Sequence, residues 1–184
     1  EESGQKIIKQ LLNREAKIVL DPVFLLNRKE WNNIIGKTKF EKIKNQYILI
    51  YYTTPQIIEF AKILSKRYGL SIIFIEALSF RLSRIGKVER TLGPEEFVDA
   101  IKNARFVLTG SFHAMVFSII YNKEFFIDII KNGRNSRLEQ VLKMCNISNR
   151  YVEENIDQIM MKKINWDEVN IMIEKKVKES RNEL

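Results

Sequence analysis

The chain has 184 residues and a mass of 21.8 kDa, the size of one compact α/β unit or of half a two-domain protein. Hydrophobic residues make up 45% and charged residues 29%, with only 7 Gly and 3 Pro, which excludes low-complexity and disordered classes and supplies a sizeable core. The 31 Lys and Arg against 23 Asp and Glu give a net charge of +8 that suits an anionic partner, while a single Cys and a single His exclude an internal disulfide and a zinc site built from His and Cys pairs.

No apolar run approaches the roughly 20 residues of a bilayer-spanning helix. The chain opens Glu1-Glu2-Ser3-Gly4 without an initiating Met or a secretory leader, and the expectation is a piece of a longer protein. Ala16 to Leu20 reads as a first short strand, with Asp21-Pro22 shaping its exit. Tyr47 to Thr53 reads as a buried strand. Ile57, Phe60, Ala61, Leu64 and Tyr68 then recur at spacings of three and four, with Pro55 near the start and Gly69 just past the end, which predicts a helix over Gln56 to Tyr68. Ser71 to Glu76 is the next strand. Phe80 to Leu92 reads as a connection carrying Arg81, Arg84, Lys87 and Arg90 at every third position.

Gly93-Pro94-Glu95-Glu96 opens another helix, with Pro in the first turn and two acids suited to the helix dipole. Arg105 to Thr109 and Glu124 to Ile129 read as strands, and Asn135 to Cys145 and Trp166 to Val177 as amphipathic helices, residues 165–184 ending the chain. Strand and helix alternating in this way predict an α/β, Rossmann-like fold over 1–184, a mainly parallel sheet with helices on both faces. Neither G-x-G-x-x-G nor a P-loop occurs, so no nucleotide cofactor is expected. Trp31 and Trp166 fall at core-packing positions, and Cys145 reads as a buried, inert thiol.

The chemistry concentrates between Arg105 and Tyr121. A strand ends at Thr109, Gly110 permits a sharp turn, Ser111 is a good N-cap, and Met115, Ile119 and Ile120 continue a helix. His113 therefore lies in the first helical turn at the carboxyl edge of the sheet, where open α/β sheets bind ligands and a helix N-terminus attracts anions. The positive end of a helix disfavours a neighbouring cation, and a neutral imidazole can take a proton from a hydroxyl nucleophile. Spacing alone equally fits a histidine that only packs at a helix start.

The run Thr109-Gly-Ser-Phe-His-Ala-Met-Val-Phe-Ser-Ile-Ile-Tyr-Asn-Lys-Glu-Phe126 resembles the T-[DN]-S-F-H-G-x-x-F-S-I-I-[FY]-x-K-x-F signature of the polysaccharide pyruvyl transferase family. Glu2-Ser3-Gly4, Asp21-Pro22 with Trp31, Pro94 to Phe97, Arg134 to Arg137 and Asn149-Arg150 resemble further family segments in order. Gly110 stands where the family has Asp or Asn, and Ala114 where it has Gly. The resemblance implies the C-terminal half of a GT-B-like enzyme that moves a pyruvyl group from phosphoenolpyruvate to a sugar of a glycan or lipid-linked precursor, with the N-terminal half of the same enzyme as partner. It implies a cytoplasmic location, at the inner face of the membrane where the acceptor is lipid-linked. His113 would be the catalytic base. Ser111, Gly110, Arg134, Arg137 and Arg84 would bind substrate, arginine being suited to the carboxylate and phosphate of the donor.

Two other readings stay open on residues alone. One keeps the architecture and exchanges the donor for a sugar nucleotide, as in a GT-B glycosyltransferase. The other is a non-catalytic basic module for nucleic acid, which needs exposed aromatics along a basic stripe. The aromatics here fall mainly in buried patterns, so nucleic acid is not expected as a partner.

Overall fold

The computed structural model of the protein describes residues 2–36, 38–75, 81–128, 135–147, 150–153 and 156–183. In chain order the elements are α1 (Glu2–Leu12), α2 (Arg28–Ile34), β1 (Tyr47–Tyr51), α3 (Pro55–Tyr68), β2 (Ser71–Ile75), β3 (Lys87–Glu89), α4 (Pro94–Asn103), β4 (Phe106–Thr109), α5 (Phe112–Ile120), β5 (Glu124–Ile127), α6 (Ser136–Met144), α7 (Ile156–Met161) and α8 (Trp166–Arg181). Short 3-10 turns occupy Pro22–Leu25, Lys39–Ile43 and Leu82–Arg84. The strands form one five-stranded sheet in the order β3-β2-β1-β4-β5, and every pairing is parallel.

Side chains alternate between the two faces of each strand. Leu49, Ile73, Val107 and Phe125 meet Val98, Ile101, Met115, Ile119, Leu138 and Leu142 on one face. Ile48, Ile50, Phe74, Phe106, Leu108 and Phe126 meet Ile57, Phe60, Ala61 and Leu64 of α3 on the other. Both faces are covered, which is why these strands read as unbroken apolar runs rather than as alternation. The α3 ends follow the sequence closely: Thr54 Oγ1 accepts from the Ile57 N–H at 3.1 Å, and Gly69 closes the helix at φ +65°.

Two expectations are corrected. Ala16 to Leu20 forms no strand; Ile18 and Val19 are exposed, and the Leu20 N–H donates to Ser180 Oγ of α8 at 2.9 Å instead of to a ladder. The β5 edge of the sheet is instead bridged at Ile127 by Tyr151. Asp21-Pro22 accordingly starts a 3-10 turn rather than leaving a strand, with Asp21 Oδ1 accepting from the Val23 N–H at 3.1 Å. Conversely, the connection before Leu92 contains β3. Its single apolar residue, Val88, gives no strand signal, and the edge is fastened by Glu89, which pairs with Lys39 at 2.6 Å and Lys87 at 2.8 Å. Burial pushes the Glu89 carboxyl up, but its bonds to the two lysines outweigh that and hold it below the usual carboxylate range.

Among the described residues no helix is long and apolar enough to cross a membrane. Trp166 and Trp31 pack at the rim of the larger core, and Cys145 is buried, its thiol pushed up to about 12 by burial.

Gly86 permits β3 to lie against β2: a Cβ there would stand 2.3 Å from the Ile72 carbonyl oxygen. Because the obstacle is backbone, Gly86→Ala should destabilise the fold by about 1–3 kcal/mol, the usual range for forced overpacking, measured by urea unfolding. At the amino edge of the sheet, burial and repulsion from Lys44, Arg105 and Arg28 pull the Lys123 ammonium down to about 8 from 10.5. Between those two pH values the unfolded chain binds more protons than the folded one, so this group's penalty is complete below pH 8 and is relieved as pH rises. Lys123→Met should raise the melting temperature at pH 7, with the gain over wild type shrinking by pH 10.

Candidate active site

The strand order reverses between β1 and β4, whose following helices α3 and α5 lie on opposite faces of the sheet, and such a switch point opens a crevice at the carboxyl edge. Thr109 binds the two strand ends together. Its hydroxyl donates to the Tyr51 carbonyl at 2.6 Å and accepts from the Ser111 N–H at 2.9 Å. That second bond turns the chain, and Ser111 becomes the N-cap of α5, its Oγ accepting a long bond from the Ala114 N–H at 3.5 Å. The sequence expectation for this turn is therefore met in geometry.

Gly110 lies under the Tyr52 ring. A Cβ on Gly110 would stand 3.0 Å from Tyr52 Cδ1 and 3.2 Å from the Asp128 carbonyl oxygen. Tyr52 itself follows β1 with φ +75°, a left-handed conformation that bulky side chains seldom adopt, and it is half exposed. Behind it the Thr54 hydroxyl donates to the carboxylate of Asp128, which is buried where β5 ends.

His113 is the second residue of α5, exposed, with its ring edge-on to Phe112 at 5.4 Å. Among the described residues its ring nitrogens have no hydrogen-bond partner. It lines a cleft of about 470 Å³ together with Ser111, Tyr51, Ile75, Phe97 and Glu95. The N–H groups of Phe112 and His113, at the first two helical positions, have no intrahelical acceptor. A hydroxyl entering this cleft meets an imidazole able to take its proton, and an anion meets the positive end of α5.

The arginines are distributed differently from the expectation. Arg137, on α6, pairs with Asp21 at 2.7 Å and lies over the Phe112 ring at 4.0 Å. It lines a separate groove of about 1390 Å³ with Phe112 and Ser136, so the first turn of α5 stands between Arg137 and the histidine cleft. Arg84 does not emerge at the carboxyl edge. It precedes Gly86, which packs on Ile72 at the amino half of β2, and the strand after it runs away from that end. From the same cluster it is Arg90 that leaves a strand at the carboxyl edge, two residues before cleft-lining Leu92. Arg134 lies outside the described residues, as do Glu76, Phe80, Ile129 and Asn149.

An all-parallel sheet with a cleft at its carboxyl edge, walled by two helix N-termini, is the architecture of a ligand-binding Rossmann-like domain. More specifically, the chain belongs to the polysaccharide pyruvyl transferase family, whose sequence model matches residues 1–127. No curated protein matches the sequence. Among solved structures the chain is similar to the Methanocaldococcus jannaschii UDP-GlcNAc 2-epimerase in complex with UDP-GlcNAc and UDP, at 18% identity, 64% of this chain, 37% of that chain and a TM-score of 0.41. It is also similar to an S. aureus MnaA–UDP co-structure, at 13% identity, 73% of this chain, 38% of that chain and a TM-score of 0.48. The chain thus spans about two fifths of the length of these proteins.

The contact at Gly110 yields a measurable coupling. Gly110→Ala should cost about 1–3 kcal/mol through overpacking, and part of that should return in the Gly110→Ala, Tyr52→Gly double variant, where the ring is gone and φ is unstrained. Strict additivity in a double-mutant cycle would show that the ring and Gly110 do not share the space.

Proposed function

We propose that this protein takes part in transfer of a pyruvyl group from phosphoenolpyruvate to a sugar hydroxyl, with residues 1–184 forming one Rossmann-like unit, the C-terminal half of a GT-B-like enzyme. The observation that carries this reading is the exposed His113, without a hydrogen-bond partner among the described residues, in a carboxyl-edge cleft within the segment matched to the family. In this reading His113 accepts the acceptor hydroxyl proton as the oxygen attacks C2 of the donor. The N–H groups at the start of α5 face donor charge, while Ser111 and Gly110 shape the turn that presents them.

Arg137, one ring away across Phe112, and Arg90, beside the cleft by chain position, supply positive charge to the donor carboxylate and phosphate. Arg134 joins them by the family resemblance alone, and Arg84 is better read as a surface residue of the amino side. The acceptor is a sugar of a glycan or lipid-linked precursor, handled at the inner face of the membrane where the lipid carrier requires it, and the other half of the enzyme closes the cleft.

Histidine chemistry is tested in the full-length enzyme. His113→Ala should lower turnover by about two to four powers of ten, the usual contribution of a positioned acid or base. His113→Asn is the sharper variant, because it keeps a hydrogen-bonding side chain without a useful basic site, and the same loss is expected. Wild-type kcat in the Asn variant with only a raised donor KM would move His113 from proton transfer to binding.

A further inference from the structure

A pyruvate ketal carries a methyl group where phosphoenolpyruvate carries a methylene carbon, so transfer needs an acid as well as a base. The geometry points to Glu95 as the acid that protonates C3 of the donor, in the same cleft as the base His113; this rests on the pyruvyl-transfer reading. Three observations carry the assignment. Glu95 is the only carboxylate among the described residues that line the histidine cleft. Among the described residues it has no hydrogen-bond or ion-pair partner, as His113 has none. It is also distinguished from its neighbour: Glu96 turns back to the start of α4, its Oε2 accepting from the Gly93 N–H at 3.1 Å in a capping interaction.

A first-turn acid also complements a helix dipole, a role that Glu96 already fills together with its cap. Glu95 Oε2 instead reaches toward the chain after α2, 3.8 Å from where a Cβ on Gly36 would stand. The first turns of α4 and α5 flank one cleft, and each presents one unengaged titratable side chain. Trp31, Ile34, Ile75, Leu92 and Phe97 supply an otherwise apolar lining, in which fixed polar groups orient a ligand.

The proton balance closes. The Glu95 carboxylic acid gives its proton to C3, the C2–C3 double bond supplying the electron pair, and positive charge develops at C2. One acceptor oxygen bonds to C2 and its proton passes to His113; the C2–O bond to phosphate breaks, a second hydroxyl oxygen takes that place, and its proton leaves with inorganic phosphate. His113 returns its proton to Glu95 through solvent, so that donor and diol become ketal and phosphate with no oxidant or reductant.

The experiment uses the full-length enzyme in D2O with phosphoenolpyruvate and a panel of methyl hexopyranosides, reading phosphate release and deuterium in the ketal methyl. Glu95→Gln should lower both by about two to four powers of ten, leave the donor KM within about threefold, and remove the alkaline limb of the kcat/KM profile, since the acid must be protonated to act. Glu96→Ala should lower the melting temperature through the lost cap while retaining turnover. Glu95→Gln turning over within about threefold of wild type overturns the acid assignment alone. A wild-type enzyme that shows no calorimetric binding of phosphoenolpyruvate and consumes none with any acceptor of the panel overturns the donor reading and this inference together.

Discussion

Three backbones converge at Gly110, and the absence of a side chain there governs the geometry of the whole carboxyl edge. A Cβ there would stand 3.0 Å from the Tyr52 ring and 3.2 Å from the Asp128 carbonyl oxygen, tighter than ordinary packing, and glycine lets the ends of β1, β4 and β5 close on one another. Thr109 then ties β4 to Tyr51 and holds Ser111, and α5 starts at a fixed angle. Gly110 and Tyr52, an aromatic at φ +75°, meet at this edge.

Consecutive residues of one helix turn, Phe112 and His113, face different concavities. Phe112 carries Arg137 on its ring, and Asp21 neutralises part of that guanidinium charge. His113 looks into a cleft whose described lining contains no lysine or arginine. Arg137 and the histidine cleft therefore lie on opposite sides of the Phe112 ring. The strong like-charge cluster around Lys123 lies at the opposite edge of the sheet and contributes nothing to this cleft.

Much of the fold was legible because parallel strands buried on both faces advertise themselves as apolar runs, and because α3 and α5 carry explicit caps in Thr54, Gly69 and Ser111. The segment at Ile18 and Val19 misled because β-branched residues describe a preference for extended backbone, not the presence of a partner strand. β3 escaped because it is held by the Lys39–Glu89–Lys87 ion pairs, which join residues 50 positions apart in the case of Lys39 and Glu89. At the site, Ser111 and His113 followed from local turn chemistry. The placement of Arg84 did not, since it depends on where the chain reverses before β3. Glu95 and Glu96 are alike as a pair of first-turn acids; only the spacing from Gly93 to Glu96 signals that the second of them is spent on the cap.

The strand order also sets a timetable. The β1 and β2 partners are local, whereas Tyr51 and Thr109 lie 58 positions apart. Loop closure alone charges little for that difference, about 0.6 kcal/mol per doubling of length, but non-local pairings delay the folding transition more than they weaken the product. During synthesis, β1 gains a partner on one edge once β2 has emerged, and its other edge stays open until β4 has been made. The apolar centre of the sheet is exposed throughout that interval, and a chain interrupted before Phe106 presents the open edge of a half-paired central strand to any neighbour with an open edge of its own.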